Sequence, residues 1–240
     1  MIRKFTVAAV AIAASACHIG ASAEERDPGS SVSRTYPVGA FDRIEVAGPY
    51  DVKVATGGSP GASATGGEKL LDQTEVIVEG NVLKIRPKKK NGIRWSWGRK
   101  GKAEFTVTTA ALHGAGIAGS GGITVDKVNG DFKGEVAGSG DLTLAAVDGG
   151  TIELDIAGSG RISAAGKAQS TKVGIAGSGD VRAAGLAARI ADVSIAGSGN
   201  VQANASDTAK VDIAGSGNVT VTGGAKCTVS KAGSGNVTCG

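Results

Sequence analysis

A short motif, Ala-Gly-Ser-Gly, recurs seven times in the second half of the chain at intervals of 18 to 20 residues. A unit of this length holds two or three short strands and cannot bury its own apolar face, so the copies must stack on one another to form a core. This periodicity restricts the chain to an elongated stack of similar units. The copies begin at Ala118, Ala137, Ala157, Ala176, Ala196, Ala214 and Ala232.

The residues that flank each motif alternate between apolar and polar. Counted from the alanine of each copy, the third and first residues before it and the fifth and seventh after it are mostly apolar, as in Leu154, Ile156, Ile162 and Ala164. All four offsets are odd, so these side chains share one face of an extended strand. The sequence therefore predicts an all-β fold, a single-stranded, right-handed parallel β-helix with coils of 18–20 residues.

The two glycines of each motif are predicted to form a corner between two strands, because glycine adopts the positive φ angles of tight turns without a steric penalty. Stacking of the coils would place the corners in one column along the solenoid. The predicted corner glycines are Gly119, Gly121, Gly138, Gly140, Gly158, Gly160, Gly177, Gly179, Gly197, Gly199, Gly215, Gly217, Gly233 and Gly235.

The composition fits a narrow stack. Glycine accounts for 40 of the 240 residues and aromatic residues for 3%, so large side chains are too few to fill a wide globular core. Collagen is excluded because glycine does not recur at every third position. A flexible linker is excluded because it has no need for the alternating Val and Ile.

An outward position, four residues before the motif alanine, carries a charge whose sign alternates from copy to copy. Stacked coils would bring these opposite charges next to each other, which stabilises neighbouring strands modestly. The alternation therefore supports the stacking independently of the motif. The residues are Lys133, Glu153, Lys172, Asp192 and Lys210.

The first residues have the features of a secretory signal peptide. A basic pair precedes an apolar run of 12 residues, Phe5 to Ala16, which is too short for the ~20 residues of a membrane span. A small-x-small site predicts cleavage between Ala23 and Glu24, so residues 1–23 are assigned to the signal peptide. The protein is then expected in the periplasm or at the surface of a bacterium. The alternative is a weak lipobox ending at Cys17, which would make it a lipid-anchored lipoprotein.

The exported part is expected to form one domain preceded by a short N-terminal segment. Residues 24–39 are predicted to be flexible. Residues 40–240 are predicted to form the β-helix, with irregular N-terminal coils over 40–111 and regular coils over 112–240. Within the irregular part, Gly57–Gly67 is predicted to be a flexible loop.

One segment holds much of the positive charge. Residues 84–102 contain nine Lys or Arg and no acid, whereas the rest of the mature chain has a net charge of −7. The pI near 9.0 therefore reflects one segment and not a basic surface. Together with the export signal, this argues against nucleic acid as a partner.

Two tryptophans, Trp95 and Trp97, lie in this basic segment and would point to the same side of an extended chain. Basic and indole side chains together suit an anionic envelope polymer or lipid headgroups. The alternative is a loop whose tryptophans cover the end or side of the solenoid. The predicted contact residues are Lys88, Lys89, Lys90, Arg94, Trp95, Trp97, Arg99 and Lys100.

Residues that commonly carry catalysis are scarce. His113 is the one histidine left after signal cleavage, and the acid that follows the motif is not retained from copy to copy, since Asp141 is followed by Arg161. Glycoside hydrolysis needs two carboxylates at a fixed separation, and calcium-binding β-rolls need an acid in nearly every nine-residue repeat. We therefore expect no catalytic residues, no metal site and no cofactor.

Cleavage of the signal peptide leaves two cysteines, Cys227 and Cys239. They flank the final Gly-Ser-Gly corner with the same strand parity, so a return of the chain could bring their Cα atoms within the ~4.4–6.8 Å that a disulfide requires. Export to an oxidising compartment would permit the bond. A disulfide is predicted, and the alternative is a pair of small buried thiols.

These patterns also resemble a known family. The stretch from Phe41 to Val54 reads Phe-x-x-Ile-x-Val-x-Gly-Pro-Tyr-Asp-Val-x-Val and is followed by copies of Ile-Ala-Gly-Ser-Gly-Asp/Asn-Val. From about residue 40 to the C-terminus it resembles the putative auto-transporter adhesin, head GIN domain family of bacterial exported proteins. The resemblance implies a β-helical fold and a cell-envelope location, and it brings no catalytic residues with it.

We expect a non-enzymatic, adhesin-like or scaffolding β-solenoid of the cell envelope. Its partner would be an envelope polysaccharide, lipopolysaccharide or another envelope protein, with membrane contact only through a lipid on Cys17. The alternative is a self-assembling protein, because a solenoid with an uncapped end can stack end to end into fibres. A polysaccharide-active enzyme is a more remote third, since β-helices host such enzymes although a fold alone does not assign a function.

Overall fold

The computed structural model describes residues 29–88 and 103–240. The described residues form twenty β-strands and one short helix, α1 (Glu68–Asp72). The predicted signal peptide and Cys17 lie outside them. The strands are β1 (Ser31–Tyr36), β2 (Arg43–Ala47), β3 (Tyr50–Thr56), β4 (Gly61–Gly67), β5 (Thr74–Glu79), β6 (Val82–Pro87), β7 (Ala103–Thr109), β8 (Gly114–Gly119), β9 (Gly122–Val125), β10 (Val128–Asn129), β11 (Phe132–Gly138), β12 (Asp141–Asp148), β13 (Thr151–Gly158), β14 (Arg161–Lys167), β15 (Ser170–Gly177), β16 (Asp180–Gly197), β17 (Asn200–Gly215), β18 (Asn218–Thr222), β19 (Lys226–Ala232) and β20 (Asn236–Cys239).

Each regular coil consists of two strands that meet at a Gly-Ser-Gly corner. The strands before the corners stack into sheet A, and the strands after the corners stack into sheet B. Their pairing is parallel and in register: Val136 of β11 lies beside Ile117 of β8 on one side and Ile156 of β13 on the other. The predicted all-β fold, a parallel β-helix with coils of 18–20 residues, is confirmed.

The return from sheet B to sheet A is also extended chain. β16 and β17 run without a break from sheet B of one coil into sheet A of the next. The pairing shifts register between Leu144 and Val147 of β12, and again between Arg182 and Ala187 of β16. Irregularities of this kind bend a strand, so they let the chain turn back towards sheet A.

The core is one continuous column of inward side chains. Leu154, Ile162 and Val193 are fully buried, and their counterparts in the other coils line the same column. At one inward position the side chains become smaller along the stack, from Phe132 through Ile152 and Thr171 to Ala191. The solenoid is therefore narrow enough for small residues to fill, as the shortage of aromatic residues predicts.

The first two coils do not stack in the order of the sequence. Strand β2 pairs in parallel with β6 on one side and β8 on the other, and β3 pairs in the same way with β7 and β9. The coil of β2 and β3 therefore lies inside, against the regular coils, and the coil of β6 and β7 lies outside it. The chain reaches the outer coil before it returns to begin the repeats.

Antiparallel strands and the helix close the N-terminal end of the stack. β4 pairs antiparallel with β7, β1 pairs antiparallel with β4, and β5 forms an antiparallel hairpin with β6. Helix α1 connects β4 to β5, and its Leu70 and Leu71 are fully buried in the core. The predicted flexible loop over Gly57–Gly67 is therefore wrong for Gly61–Gly67, which forms β4.

The predicted flexibility of residues 24–39 is likewise wrong for Ser31–Tyr36, which forms β1. The composition of this segment is polar, but its backbone pairs with β4 along its whole length. Val32 and Tyr36 also pack against the core. Backbone hydrogen bonds and two apolar contacts thus order a strand that its composition does not indicate.

A cluster of aromatic side chains fixes this N-terminal cap. The ring of Phe105 lies 6.2 Å from that of Tyr36 and 5.5 Å from that of Tyr50, measured between ring centroids. The Tyr50 hydroxyl is 3.1 Å from Thr74 Oγ1, which in turn donates to the Leu70 carbonyl at 2.9 Å. The cap is therefore joined to the coils by packing and by buried hydrogen bonds.

The opposite end is built from β19 and β20. Within the described part of the chain, β19 pairs only with β17 and β20 only with β18. Val229 of β19 is 46% exposed although it occupies an inward position.

No helix in the described ranges has the length and apolar character to cross a membrane.

Candidate functional site

The outward surfaces of the two sheets are the candidate binding surfaces. We call the outward side of sheet A face A and the outward side of sheet B face B. On each face, the same offset of the repeat recurs from coil to coil at the spacing of paired strands, ~4.8 Å. A ligand would therefore meet straight columns of side chains rather than a pocket between domains.

The corners have a stricter requirement for glycine than the sequence indicates. The first glycine of each motif has a φ of +123° to +137°, a region that favours glycine. The second glycine has no positive φ. A Cβ there would instead lie 2.1–2.8 Å from a backbone oxygen of the preceding coil, as at Gly140, where that oxygen belongs to Gly121. Close approach of successive coils therefore excludes a side chain at the second position.

Hydrogen bonds explain this close approach. In five of the corners the backbone N–H of the serine donates to a glycine carbonyl of the coil before it, as from Ser139 to Gly119 and from Ser178 to Gly158, both at 2.8 Å. The serine side chains are exposed and line the ridge between faces A and B. The corners thus hold the coils together and leave a row of hydroxyl groups at the surface.

Face A carries the alternating charges that the sequence predicts, and they are neighbours in the sheet. Glu153 lies beside Lys133 on one side and Lys172 on the other. Lys133 Nζ is 3.1 Å from Glu153 Oε1. The next two charges, Asp192 and Lys210, continue the register. Because these groups are largely exposed, each pair adds little stability by itself.

Lys133 is the centre of an acidic cluster on face A. Its Nζ lies 2.9 Å from Glu135, 3.1 Å from Glu153 and 3.8 Å from Asp155. The hydrogen bonds that Lys133 donates to Glu135 and Glu153 raise the pKa of Lys133, and the bond to Glu153 lowers the pKa of Glu153. Burial, and then the negative charge of Glu153, raise the pKa of Asp155. The cluster thus keeps an excess of negative charge.

A shallow groove of about 560 Å³ runs beside this cluster. Its floor consists of exposed alanines of successive motifs together with Gly174, and Glu135 and Asp155 stand at its edge. It is the apolar part of face A. The alanines are Ala137, Ala157, Ala176 and Ala196.

Face B carries a ladder of polar side chains that starts at the corner. Asn200 donates to Asp180 at 2.9 Å and Asn218 donates to Asn200 at 3.0 Å, while the backbone N–H of Asn236 donates to Asn218 at 3.3 Å. The sequence shows only that an acid is not retained at this position from copy to copy. Its hydrogen bonds appear only when the coils are stacked.

The basic segment is only partly within the described residues. Lys84 pairs with Glu79 at 2.8 Å, and Arg86 pairs with Glu75 at 2.7 Å across the β5–β6 hairpin. These acids raise the pKa of both bases. Two of the nine basic residues of this segment are therefore neutralised by acids of the neighbouring strand β5, which precedes the segment in the sequence.

Lys88 is exposed, but its Nζ donates to the Asp72 carbonyl at 2.7 Å, so it contacts the cap at the C-terminal end of α1. The remaining predicted contact residues lie outside the described ranges. The segment that contains them connects β6 to β7, where other coils have a two- or three-residue corner. Those residues are Lys89, Lys90, Arg94, Trp95, Trp97, Arg99 and Lys100.

Cys227 and Cys239 form a disulfide whose Cα atoms are 6.6 Å apart. Cys227 of β19 is half-buried and packs against the core, whereas Cys239 of β20 is exposed. The bond joins sheet A to sheet B across the C-terminal end of the stack.

His113 is exposed, with its Nδ1 3.3 Å from the Asp131 carbonyl oxygen. Over residues 29–88 and 103–240, no group of His, Cys, Asp and Glu has the arrangement of a metal site.

A model of the putative auto-transporter adhesin, head GIN domain family matches residues 40–225. The chain belongs to this family. No curated protein matches it. The resemblance found in the Phe41–Val54 pattern and the repeats is therefore confirmed.

Several crystal structures share the fold. A protein from Parabacteroides distasonis ATCC 8503, named a putative lipid binding protein, is 26% identical with a TM-score of 0.71, covering 88% of this chain and 97% of that chain. A putative adhesin from Bacteroides fragilis NCTC 9343 is 20% identical with a TM-score of 0.80 and the same coverage. A putative adhesin from Parabacteroides merdae ATCC 43184 is 20% identical with a TM-score of 0.65, covering 88% and 96%. The latter two establish the fold alone.

Proposed function

We propose that this protein is a non-enzymatic binding module of the bacterial cell envelope, adhesin-like or scaffolding, exported to the periplasm or the cell surface. The observation that carries the proposal is the pair of outward faces, which present regular columns of exposed polar and charged side chains on a rigid stack. Membership of an adhesin-named family supports it. A linear polymer suits such columns, because repeated groups on the ligand can meet repeated groups on the protein.

The ends of the stack weigh against the fibre-forming alternative. Growth by head-to-tail addition needs two open ends that fit each other. The N-terminal end is closed by α1 and by the antiparallel strands β1, β4 and β5. A second copy would meet these elements instead of a parallel strand edge, so a monomer in solution is the expected state.

Lipid binding is a second candidate, because one similar protein has that name and face A has an apolar groove. The inward residues of the described coils fill the core, so an acyl chain would have to lie on the surface, along Ala157 and Ala176. The acids Glu135 and Asp155 at the edge of the groove would repel an anionic headgroup. A neutral or cationic amphiphile is therefore the class of lipid that fits.

The proposal is tested with residues 24–240 on an array of bacterial glycans and on immobilised lipopolysaccharide. We expect saturable binding without turnover of the ligand, and a loss of that binding in either Ala176→Glu on face A or Gln202→Glu on face B. Binding of a fluorescent fatty amine that Ala176→Glu abolishes, with no glycan bound, would support the lipid candidate instead. Release of cleaved sugar would overturn the non-enzymatic role.

The contact of the basic segment with anionic envelope material is a separate part of this proposal. Neutralising Lys88, Lys89 and Lys90 to Gln should weaken binding to anionic vesicles, and added salt should weaken the binding of the unaltered protein, because exposed charges are screened within ~8 Å at physiological ionic strength. Unchanged vesicle binding by the triple variant would favour the alternative, a loop that covers the solenoid.

A further inference from the structure

The C-terminal edge of the stack offers unpaired backbone groups. Strands β19 and β20 each pair on one side only within the described residues. A strand in that position presents a row of N–H and C=O groups that another extended chain can bind. At the opposite, N-terminal end of sheet A, the edge strand is β5, which pairs antiparallel with β6 and follows the buried helix α1.

Val229 marks an incomplete apolar contact on this edge. It is 46% exposed, whereas Val211 and Val193, its equivalents in the two coils before, are fully buried. Each of those valines is covered by the coil that follows it. An apolar side chain on an added strand would cover Val229 in the same way.

The charge of the edge is uniform in sign. β19 carries Lys226 and Lys231, and residues 222–240 contain no Asp or Glu side chain. Lys231 occupies the inward position that Ile213 holds in the coil before, and its Nζ donates to the Gly235 carbonyl at 2.8 Å. A cation in place of an apolar residue disfavours another apolar coil at this point and favours a carboxylate.

The disulfide makes this edge a preformed template. It bonds Cys227 of β19 to Cys239 of β20, so the two edge strands are held at a fixed separation. A site that is already ordered spends less binding free energy on ordering itself.

We propose that β19 and β20 form a docking edge for an extended, acidic segment of a partner protein, which adds to β19 as a further strand. Main-chain hydrogen bonds would provide affinity, and an apolar residue over Val229 with carboxylates near Lys226 and Lys231 would provide selectivity. A second copy that docks through the same edge would bring the same lysines. One that docks through β5 would bring Glu75 and Glu79, which are already paired with Arg86 and Lys84, so a second copy suits the edge less well. This inference goes beyond the binding of polymers by faces A and B and does not depend on it.

The experiment uses the oxidised protein and two labelled seven-residue peptides. The Glu-Val peptide has Glu, Val and Glu at the positions that would lie beside Lys226, Val229 and Lys231 in an added parallel strand, with Thr elsewhere. The Lys-Val peptide has Lys in place of both Glu. We expect the Glu-Val peptide to bind at least about tenfold more tightly. Val229→Glu should weaken that binding by a similar factor. Its matched control is Ile190→Glu, because Ile190 is 45% exposed but lies on the side of the stack in β16. The control should bind like the unaltered protein.

A charge reversal, Lys226→Glu with Lys231→Glu, keeps the proposal testable even if Val229→Glu perturbs the coil. It should transfer the preference to the Lys-Val peptide. Equal binding of both peptides, or an unchanged preference after the reversal, would overturn the proposal. So would sedimentation that shows a dimer which Val229→Glu dissociates and Ile190→Glu does not, because a second copy would then occupy the edge.

Discussion

The two ends of the solenoid are closed by different means. At the N-terminal end, α1 inserts two leucines into the core, and antiparallel strands cover both sheets. At the C-terminal end the strands stay parallel, Val229 is half exposed, and a disulfide crosses from one sheet to the other. One end is therefore sealed by apolar packing and the other is held by a covalent bond.

This difference follows from what each end has available. The N-terminal end has large side chains, with Tyr50 and Phe105 fully buried, so burial of apolar area can stabilise it. The C-terminal coils are filled mainly with Ala and Val, with one buried Ile in each of two coils (Ile195 and Ile213), and provide less apolar area per coil. A bond that limits the unfolded chain compensates for weak packing. We therefore expect the two ends to respond differently to substitution.

The largest effect is expected from opening the N-terminal cap. Leu71 is fully buried, so Leu71→Ala should lower the free energy of unfolding by about 2–5 kcal/mol, through lost burial and the cavity left behind. Chemical denaturation measures it. The control is Glu68→Ala on the exposed side of the same helix, which should change stability by less than about 0.5 kcal/mol. Equal effects of the two variants would mean that the cap does not seal the core.

Removal of the disulfide should act at the other end. Cys227→Ser with Cys239→Ser should cost roughly 2–3 kcal/mol, the chain-entropy value for a loop of this length. Hydrogen exchange should become faster in β19 and β20 while α1 keeps its protection. Faster exchange throughout the chain would contradict the idea that the two ends are stabilised separately.

Substitutions of two corner glycines allow the middle of the stack to be compared with its C-terminal end. Gly177 and Gly233 have φ angles of +130° and +129°, and at both a Cβ would collide with a glycine oxygen of the preceding coil. Gly177→Val should cost at least about 1–3 kcal/mol, since the coil is held on both sides. Gly233→Val should cost less, because its coil has one paired neighbour and can shift. Thermal melting measures both variants, with Gln202→Ser at an exposed position of face B as the near-neutral control.

The smallest effect concerns the charges of face A. Lys133→Gln leaves Glu135, Glu153 and Asp155 without their shared cation. The pKa of Glu153 is lowered in the folded protein, so its contribution to stability is present above its ordinary value of 4.5 and is lost as the pH falls through the lowered value. The variant should therefore melt below the unaltered protein at pH 7 and close to it at pH 3.

The control for this charge effect is Lys226→Gln at the C-terminal end. Lys226 lies beside Thr208 in the sheet and not beside an acid. Its melting temperature relative to the unaltered protein should not change between pH 7 and pH 3. If Lys133→Gln still melts below the unaltered protein at pH 3, its effect comes from lost packing of the lysine methylene groups and not from lost charge pairing.

The repeat made the regular part of this fold predictable. Odd offsets assign the inward residues, the 18–20-residue period assigns the stacking, and the alternating signs of Lys133, Glu153 and Lys172 agree with the observed register. The predicted bond between Cys227 and Cys239 also rests on parity around one corner. In each case the information lies within one or two coils, so a local pattern suffices.

The N-terminal region was less predictable for a physical reason. Alternating apolar residues show which face of a strand is buried but not which strand will be its neighbour. The sequence thus determined that β2, β3, β6 and β7 are strands, whereas tertiary structure decided that the coil of β2 and β3 lies inside the coil of β6 and β7.

The cap and the corners likewise separate what the sequence determines from what the tertiary structure decides. Glycine at the second corner position is required by a carbonyl of another coil, and the charges of Lys84 and Arg86 are neutralised by acids of β5. The sequence by itself determined the coil, its period and its inward residues, because these depend on contacts that repeat along the chain. Only the tertiary structure decided the order of the first coils, the closure of the two ends and the open edge at β19, because these depend on contacts that occur once.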